Sequence, residues 1–212
     1  MGEKITQGKL MDALDWAYDK AVNGAILGTN TAEELARDYM KEGNGNCWKN
    51  ANSLIRWQNT KAGTSGFVTG LGGVITMPVT IPANIASVLF IQIRMIAAIA
   101  IIGGYDVKND KVKALCYACM CGNEAKDIIK NVGIVFGTKI AKSSLERMSA
   151  KVLVKINQAV GFRLVTKFGS TGVINLGKAI PLIGGIVGGS FDAVTTNIIG
   201  NIARKTFCTK NS

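Results

Sequence analysis

The segment 173–204 constrains the fold of this chain more than any other, because four of its glycines fall at helical spacing. Gly184 and Gly188 lie four residues apart, and so do Gly185 and Gly189. On a helix this spacing clears one face of side chains, so that a second helix can approach almost to backbone contact. Each glycine costs roughly 1 kcal/mol relative to alanine inside a helix, so only close packing can offset the loss. The sequence therefore predicts a tightly packed helix, in a protein core or in a bilayer.

The rest of the chain also favours helices over strands. It has only three prolines in 212 residues, and its β-branched residues occur in long runs rather than in short alternating strands. Hydrophobic residues make up 48% of the chain and the mean hydropathy is +0.23, which excludes a disordered protein. We predict an all-α fold, a compact bundle of roughly seven to nine helices with the glycine-rich apolar helices at its centre.

Local signals predict the individual helices. Leu10, Leu14 and Ala17 begin an apolar stripe near the start, and Thr31 with Glu34 has the pattern of a capping box. After the N-terminal helix, the expected helices cover residues 32–42, 47–61, 83–102, 110–122, 124–144 and 145–160, with a closing helix over about 182–203.

The charge of the chain is unevenly distributed. Residues 1–60 contain seven Lys/Arg and eight Asp/Glu, a formal charge of −1, whereas residues 61–212 contain eighteen and six, a formal charge of +12. We predict an amphipathic helical part, 1–60, and an apolar, basic helical part, 61–212, joined in one continuous domain. A region that is both apolar and basic suits an anionic membrane surface better than nucleic acid.

Three stretches of the second part, 66–85, 91–106 and 155–207, resemble the EcsC protein family, a bacterial group named after a protein encoded beside an ABC transporter. The first of them reads GFVTGLGGVITMPVTIPANI. The resemblance covers roughly residues 63–207 and implies a helical protein that is associated with a membrane or lies next to one. It implies no catalytic residues, because the family has no established catalytic motif to match.

Arg94 lies near the middle of the apolar helix expected over 83–102. In a bilayer it would cost about 2.5–3.5 kcal/mol, which makes this helix a marginal transmembrane span. In a protein core it needs a partner, and Asp192 is the only acidic residue of the closing glycine-rich helix. We predict a buried Arg94–Asp192 ion pair; the alternative is that the guanidinium reaches the surface. Whether 83–102 and 182–203 insert in a bilayer stays open.

A basic cluster follows the middle of the chain, with only Glu146 as an acidic residue inside it. Basic side chains beside an apolar helical face are typical of an interfacial membrane helix. Nucleic acid is the rival partner, but only Phe162 and Phe168 provide aromatic rings nearby, and a merely solvated face fits the pattern equally well. The predicted lipid- or anion-binding residues are Lys139, Lys142, Arg147, Lys151, Lys155, Arg163 and Lys167.

The chain has no histidine, which excludes His-based triads and His–metal sites. Cys116, Cys119 and Cys121 are closely spaced, but a structural zinc site needs four ligands, so small buried core residues are the better interpretation. Cys47 and Cys208 are distant in sequence but could approach in space. Because the number of cysteines is odd and no signal peptide opens the chain, we expect reduced cysteines in the cytosol.

The functional hypothesis is a non-enzymatic protein on the cytoplasmic face of a membrane. It would bind anionic lipid or a membrane protein complex, with no cofactor, no metal and no nucleic acid partner. The alternative is a soluble helical protein that encloses an apolar ligand such as an acyl chain. An enzymatic role would need a fixed nucleophile, and Ser143–Ser144 near Lys142 is a pair that a basic helix contains by chance.

Overall fold

A computed structural model describes residues 5–24, 29–42, 45–62, 81, 83–135, 140–168 and 187–209. All regular structure in these ranges is helical, which confirms the predicted all-α bundle. A single turn of 3-10 helix, Gly122–Glu124, lies between the fifth and the sixth helix. The α-helices of the described ranges are α1 (Gln7–Asn23), α2 (Ala32–Glu42), α3 (Cys47–Ala62), α4 (Ala83–Ile102), α5 (Asp110–Met120), α6 (Ala125–Asn131), α7 (Lys142–Glu146), α8 (Ala150–Phe168) and α9 (Val187–Phe207).

Helix α4 lies at the centre of the bundle and contacts α1, α2, α3, α5 and α9. Every residue from 89 to 100 is buried, as expected for a helix that is apolar on all sides. Within the described ranges, α4 is the one helix long and apolar enough to cross a bilayer, with a mean hydropathy of 2.4 over Ile85–Ile102. Because 83% of that window is buried inside the protein, α4 is the core helix of this bundle.

Several helix boundaries follow the local signals in the sequence. The Thr31 amide donates to Glu34 Oε2 at 2.8 Å, and the Glu34 amide donates to Thr31 Oγ1 at 3.1 Å, so the capping box forms and α2 begins at Ala32. Helices α2 and α4 have their predicted bounds, and α3 extends one residue further than expected.

Two predicted helices are wrong. The stretch 124–144 is not one helix, because Gly133 adopts a left-handed φ of +81° and α6 already ends at Asn131. The stretch 145–160 is also divided, since α7 ends at Glu146 and α8 begins at Ala150. Arg147 therefore lies in the turn between α7 and α8 and does not stack on α8.

The helices of residues 1–60 pack directly on those of residues 61–212. Helix α1 contacts α4 and α8, and α3 lies along α9. The amide of Asn59 donates to the side-chain oxygen of Asn197 at 3.1 Å between α3 and α9. The two parts of the chain thus share one core.

Candidate functional site

Helix α8 carries the basic residues that the structure brings onto one element. Its inner face, Ile156, Val160 and Leu164, is fully buried and packs against α1 and α5. Its outer face exposes Lys151 and Lys155, one helical turn apart, as the sequence pattern predicted.

Two apolar side chains interrupt this basic outer face. Phe162 is 63% exposed and Val154 is 54% exposed, and at 100° per residue both lie within about a quarter turn of Lys151. The sequence pattern indicated only that aromatic residues such as Phe162 are sparse near the basic cluster, and the exposure of the ring was not predicted. The exposure of Phe162 could have been predicted from the helical periodicity of α8, because Phe162 falls on the side opposite to the apolar face of Ile156, Val160 and Leu164. We call Lys151, Val154, Lys155, Gln158 and Phe162 the outer ridge of α8.

The side of α8 opposite to the outer ridge packs closely against α1. A Cβ atom on Gly161 would lie 2.6 Å from Gln7 Nε2 and 2.7 Å from Gln7 Cγ, so α8 approaches the first turn of α1 closely. The Gln7 side chain also donates to the Gln158 carbonyl at 3.3 Å. Helix α8 is therefore fixed on the bundle along its inner side, with its outer side in solvent.

The other predicted lipid-binding residues lie at different places. Lys142 is the first residue of α7, and Arg147 is exposed in the turn that follows α7. Arg163 lies on the flank of α8, about 100° around the helix from Phe162, and Lys167 lies about 140° from Phe162, toward the inner face. Lys139 lies outside the described residues.

Arg163 has an acidic partner that the sequence did not predict. Its Nε lies 3.2 Å from Glu124 Oε2, and both side chains are about half exposed. Next to this pair is a cavity of about 190 Å³. The cavity is lined by Cys121, Glu124, Arg163, Leu164, Thr166 and Lys167.

Arg94 is buried, with 4% of its surface exposed. Its Nη1 donates to the Asn30 carbonyl at 3.2 Å, and its guanidinium lies 5.3 Å from the centre of the Phe90 ring. Burial lowers the pKa of Arg94 to about 10. The side chain of Asp192 lies outside the described part of α9, so the Arg94–Asp192 ion pair stays a prediction.

The glycines predicted to pack closely lie mostly outside the described residues. Gly184 and Gly185 precede the described part of α9, and Gly188 and Gly189 are in its first turn. Close helix packing occurs further along the same helix, at Gly200. A Cβ atom there would lie 2.7 Å from Ile55 Cγ1 on α3.

Two cysteines differ from expectation. Cys47, the first residue of α3, and Cys208, just beyond α9, form a disulfide across 161 residues, so the prediction of reduced cysteines is wrong for this pair. Cys116 and Cys119 are reduced and fully buried, as expected for core residues, and burial raises the pKa of both thiols, that of Cys119 to about 12. No group of three or more acidic or cysteine side chains that could hold a metal ion occurs among the described residues.

A cavity of about 610 Å³ lies between α2 and α3. It is open to solvent, and Asp38, Ser53, Arg56 and Thr60 contribute polar groups to its wall. Leu35, Tyr39 and Trp57 contribute apolar surface to the same wall, and the enclosed acyl chain stays a prediction.

Comparison with known proteins gives one match. No curated protein and no solved structure matches the chain significantly. The sequence profile of the EcsC protein family matches residues 2–209 of the 212 residues, and thus includes the N-terminal helices that the three resembling stretches left out. The chain therefore belongs to the EcsC protein family.

Proposed function

We propose that this protein is a non-enzymatic, membrane-associated protein that binds anionic lipid through the outer ridge of α8. The observation that carries the proposal is the exposure of Phe162 and Val154 on the same side of α8 as Lys151 and Lys155. A helix that exposes a phenylalanine and a valine beside lysines on its solvent side has the composition of an interfacial helix. At a membrane interface the rings and methyl groups enter the acyl boundary while the ammonium groups stay at the headgroups.

The magnitudes favour reversible binding. Burial of a phenylalanine side chain contributes about 1.5–3 kcal/mol, and each lysine close to an anionic surface contributes about 1 kcal/mol. One ring, one valine and two or three lysines therefore give a few kcal/mol, which has to offset the entropy lost on docking. The contribution of the lysines falls as salt is added.

The central helix takes no part in this binding mode. Helix α4 is covered by five neighbouring helices, and its exposure would require the core to open. We therefore propose peripheral docking on the bilayer surface rather than insertion of α4. A membrane protein complex with an acidic surface would bind the same lysines. Vesicles that contain lipid but no protein distinguish the two partners.

The side of the membrane needs a separate argument. The prediction of the cytoplasmic face depended on reduced cysteines, and the Cys47–Cys208 disulfide removes that support. Disulfides form and persist mainly in oxidising compartments. The proposal is therefore an anionic surface, without a choice of leaflet.

The test is co-sedimentation of the purified protein with neutral and with anionic vesicles, at low and at high salt. We expect binding to anionic vesicles only, with a loss of at least threefold on going from 50 to 300 mM salt. The double variant Lys151→Glu, Lys155→Glu should bind at least tenfold more weakly, since it reverses two charges on the outer ridge.

A matched control uses two exposed lysines on other helices. Lys41 on α2 and Lys49 on α3 are exposed, and the double variant Lys41→Glu, Lys49→Glu changes the net charge by the same amount. Equal loss of binding in both double variants would mean that only net charge matters, and it would overturn the assignment to α8. Absence of binding to any vesicle would overturn the membrane proposal itself.

A further inference from the structure

The cavity of about 190 Å³ beside the outer ridge has the composition of a phosphate site. Arg163 and Lys167 line it from α8, and Glu124 lines it from the preceding 3-10 turn. We propose that this cavity binds a phosphomonoester group, which, given the membrane binding proposed above, is the headgroup of an anionic lipid.

An incoming anion can replace the Glu124 carboxylate as the partner of Arg163. The two side chains are 45% and 50% exposed, and an ion pair that is open to water contributes little to stability. A phosphate oxygen can therefore replace the Glu124 carboxylate on the Arg163 guanidinium, whose planar donors match phosphate as well as carboxylate. Glu124 then acts as the competitor that the ligand must displace.

The cavity lies where a docked headgroup would be. Arg163 directly follows Phe162 in the chain, and the Thr166 hydroxyl donates to the Phe162 carbonyl at 3.0 Å, which fixes that wall beside the exposed ring. When Phe162 enters the acyl boundary, Arg163, about 100° around α8 from Phe162, lies at headgroup level, and the long side chain of Lys167 lines the cavity from further around the helix.

The floor of the cavity is neutral. Leu164 is fully buried there, and burial raises the pKa of the Cys121 thiol to about 12, so this sulfur carries no charge near neutral pH. Among the described residues that line the cavity, Glu124 alone repels an incoming anion, and Arg163 and Lys167 attract it.

The charge of the ligand favours a monoester over a diester. A phosphomonoester carries about −1.5 to −2 charges and three acceptor oxygens, enough to engage Arg163 and Lys167 together. A phosphodiester or a carboxylate headgroup carries a single negative charge and gains less from displacing Glu124. We therefore expect discrimination between headgroups at equal surface charge.

The experiment compares vesicles that contain phosphatidic acid with vesicles that contain phosphatidylserine, adjusted to the same surface potential. The native protein should bind the phosphatidic acid vesicles at least threefold more tightly. Arg163→Gln should remove this preference while keeping binding to phosphatidylserine, because Lys151 and Lys155 are unchanged. Circular dichroism checks that the variant is folded.

Removal of the competing carboxylate gives the sharper test. Glu124→Gln should increase the preference for phosphatidic acid several-fold. Asp127→Asn, an exposed acidic residue on the neighbouring helix α6, makes the same change in net charge outside the cavity and should leave the preference unchanged. An equal response of the two variants would overturn the assignment of the cavity.

Titration with glycerol 3-phosphate distinguishes phosphate binding in the cavity from binding of the protein to a membrane surface. If this compound binds the native protein but not Arg163→Gln, and no anionic vesicle binds, the phosphomonoester site stands and the membrane proposal falls. If anionic vesicles bind without headgroup preference and glycerol 3-phosphate does not bind, the membrane proposal stands and the cavity is not a phosphate site.

Discussion

Arg94 keeps its guanidinium inside the core with few described partners. The Asn30 carbonyl accepts one hydrogen bond from it and the Phe90 ring lies below it, but Nε has no hydrogen-bond partner among the described residues. A buried charge in this situation is costly unless another group compensates for it. The predicted compensating group is the carboxylate of Asp192.

A double-mutant cycle tests this ion pair. We expect Arg94→Met and Asp192→Asn each to lower the free energy of unfolding by about 3–5 kcal/mol, because each leaves the other group buried and unpaired. The double variant should lose clearly less than the sum of the two, with a coupling energy of at least about 1 kcal/mol. Urea denaturation measures all four proteins, and additive losses would contradict the pairing.

Three buried tyrosines make the protein sensitive to alkali. The hydroxyls of Tyr18 and Tyr117 donate to the Val107 carbonyl at 2.7 Å and to Asp15 Oδ1 at 2.6 Å, and that of Tyr105 donates to the Ile140 carbonyl. Burial raises the pKa of all three phenols above the ordinary 10, that of Tyr105 to about 12.

A phenol whose pKa is higher in the folded than in the unfolded protein makes its full contribution to stability below pH 10. This contribution is lost as the pH rises towards the pKa of the phenol in the folded protein. The lowered pKa of Arg94 has the opposite effect, because the folded protein gains stability when this buried group loses its proton above pH 10. This effect comes from one group, whereas three tyrosines lower the stability. We therefore expect the free energy of unfolding to fall between pH 10 and 12, and Tyr105→Phe to reduce the slope. Absorbance at 295 nm should show these phenolates only as the protein unfolds; their appearance at pH 10 in folded protein would contradict the account.

At the scale of the elements, α3 and α9 pack closely against each other. Gly200 faces Ile55, and Arg204 of α9 lies over the Trp48 ring of α3 at 4.1 Å. The four glycines of the predicted stripes precede this contact, and their close packing stays a prediction.

Two alanine substitutions separate helix propensity from packing. Gly8 lies in the first turn of α1, and a Cβ atom there would meet only Thr6 Oγ1, at 4.0 Å. Gly8→Ala should therefore raise the free energy of unfolding by about 0.5–1 kcal/mol through helix propensity. Gly200→Ala should lower it by about 1–2 kcal/mol, because overpacking against Ile55 exceeds the same gain.

Thermal or urea denaturation measures both variants. Combination with Ile55→Ala should give a smaller loss than the sum of the two single losses, since it removes Cγ1, the atom nearest to the added Cβ. Stabilisation by Gly200→Ala comparable to that by Gly8→Ala would mean that α3 and α9 are less closely packed than described.

The sequence predicts the elements better than it predicts their contacts. Local signals set the start of α2 and the end of α4, because the Thr31–Glu34 capping box and the left-handed Gly104 (φ +82°) act on neighbouring residues. Gly133 could not be identified as the end of α6 from its neighbours alone, since other glycines, such as Gly161 and Gly200, lie inside helices. The Arg163–Glu124 pair and the disulfide join residues that are far apart in the sequence, and only the fold brings them together.

At the scale of the whole molecule, one covalent bond joins the two parts of the chain. The Cys47–Cys208 disulfide connects the start of α3 to the end of α9, and both residues are buried. It closes most of the chain into a loop, which restricts the unfolded state much more than the folded state.

Reduction of this disulfide should destabilise the protein strongly. For a loop of this length the chain-entropy estimate is about 5 kcal/mol. We expect Cys47→Ala, Cys208→Ala to lower the free energy of unfolding by up to that amount, and a reducing agent to have no further effect on the double variant. Cys121→Ala, which removes a half-buried thiol outside the disulfide, serves as the control. Equal stability of native protein with and without reducing agent would contradict a role of the disulfide in stability.

The central claim is that the outer ridge of α8 contacts an anionic bilayer, and the most direct measurement replaces Phe162 by tryptophan. Quenching of Phe162→Trp fluorescence by brominated acyl chains is compared with that of the native protein, which has three tryptophans. Val194→Trp places the new ring at an exposed position on α9. We expect additional quenching for Phe162→Trp and none for Val194→Trp; equal quenching of both, or of neither while the protein binds the vesicles, would contradict the claim.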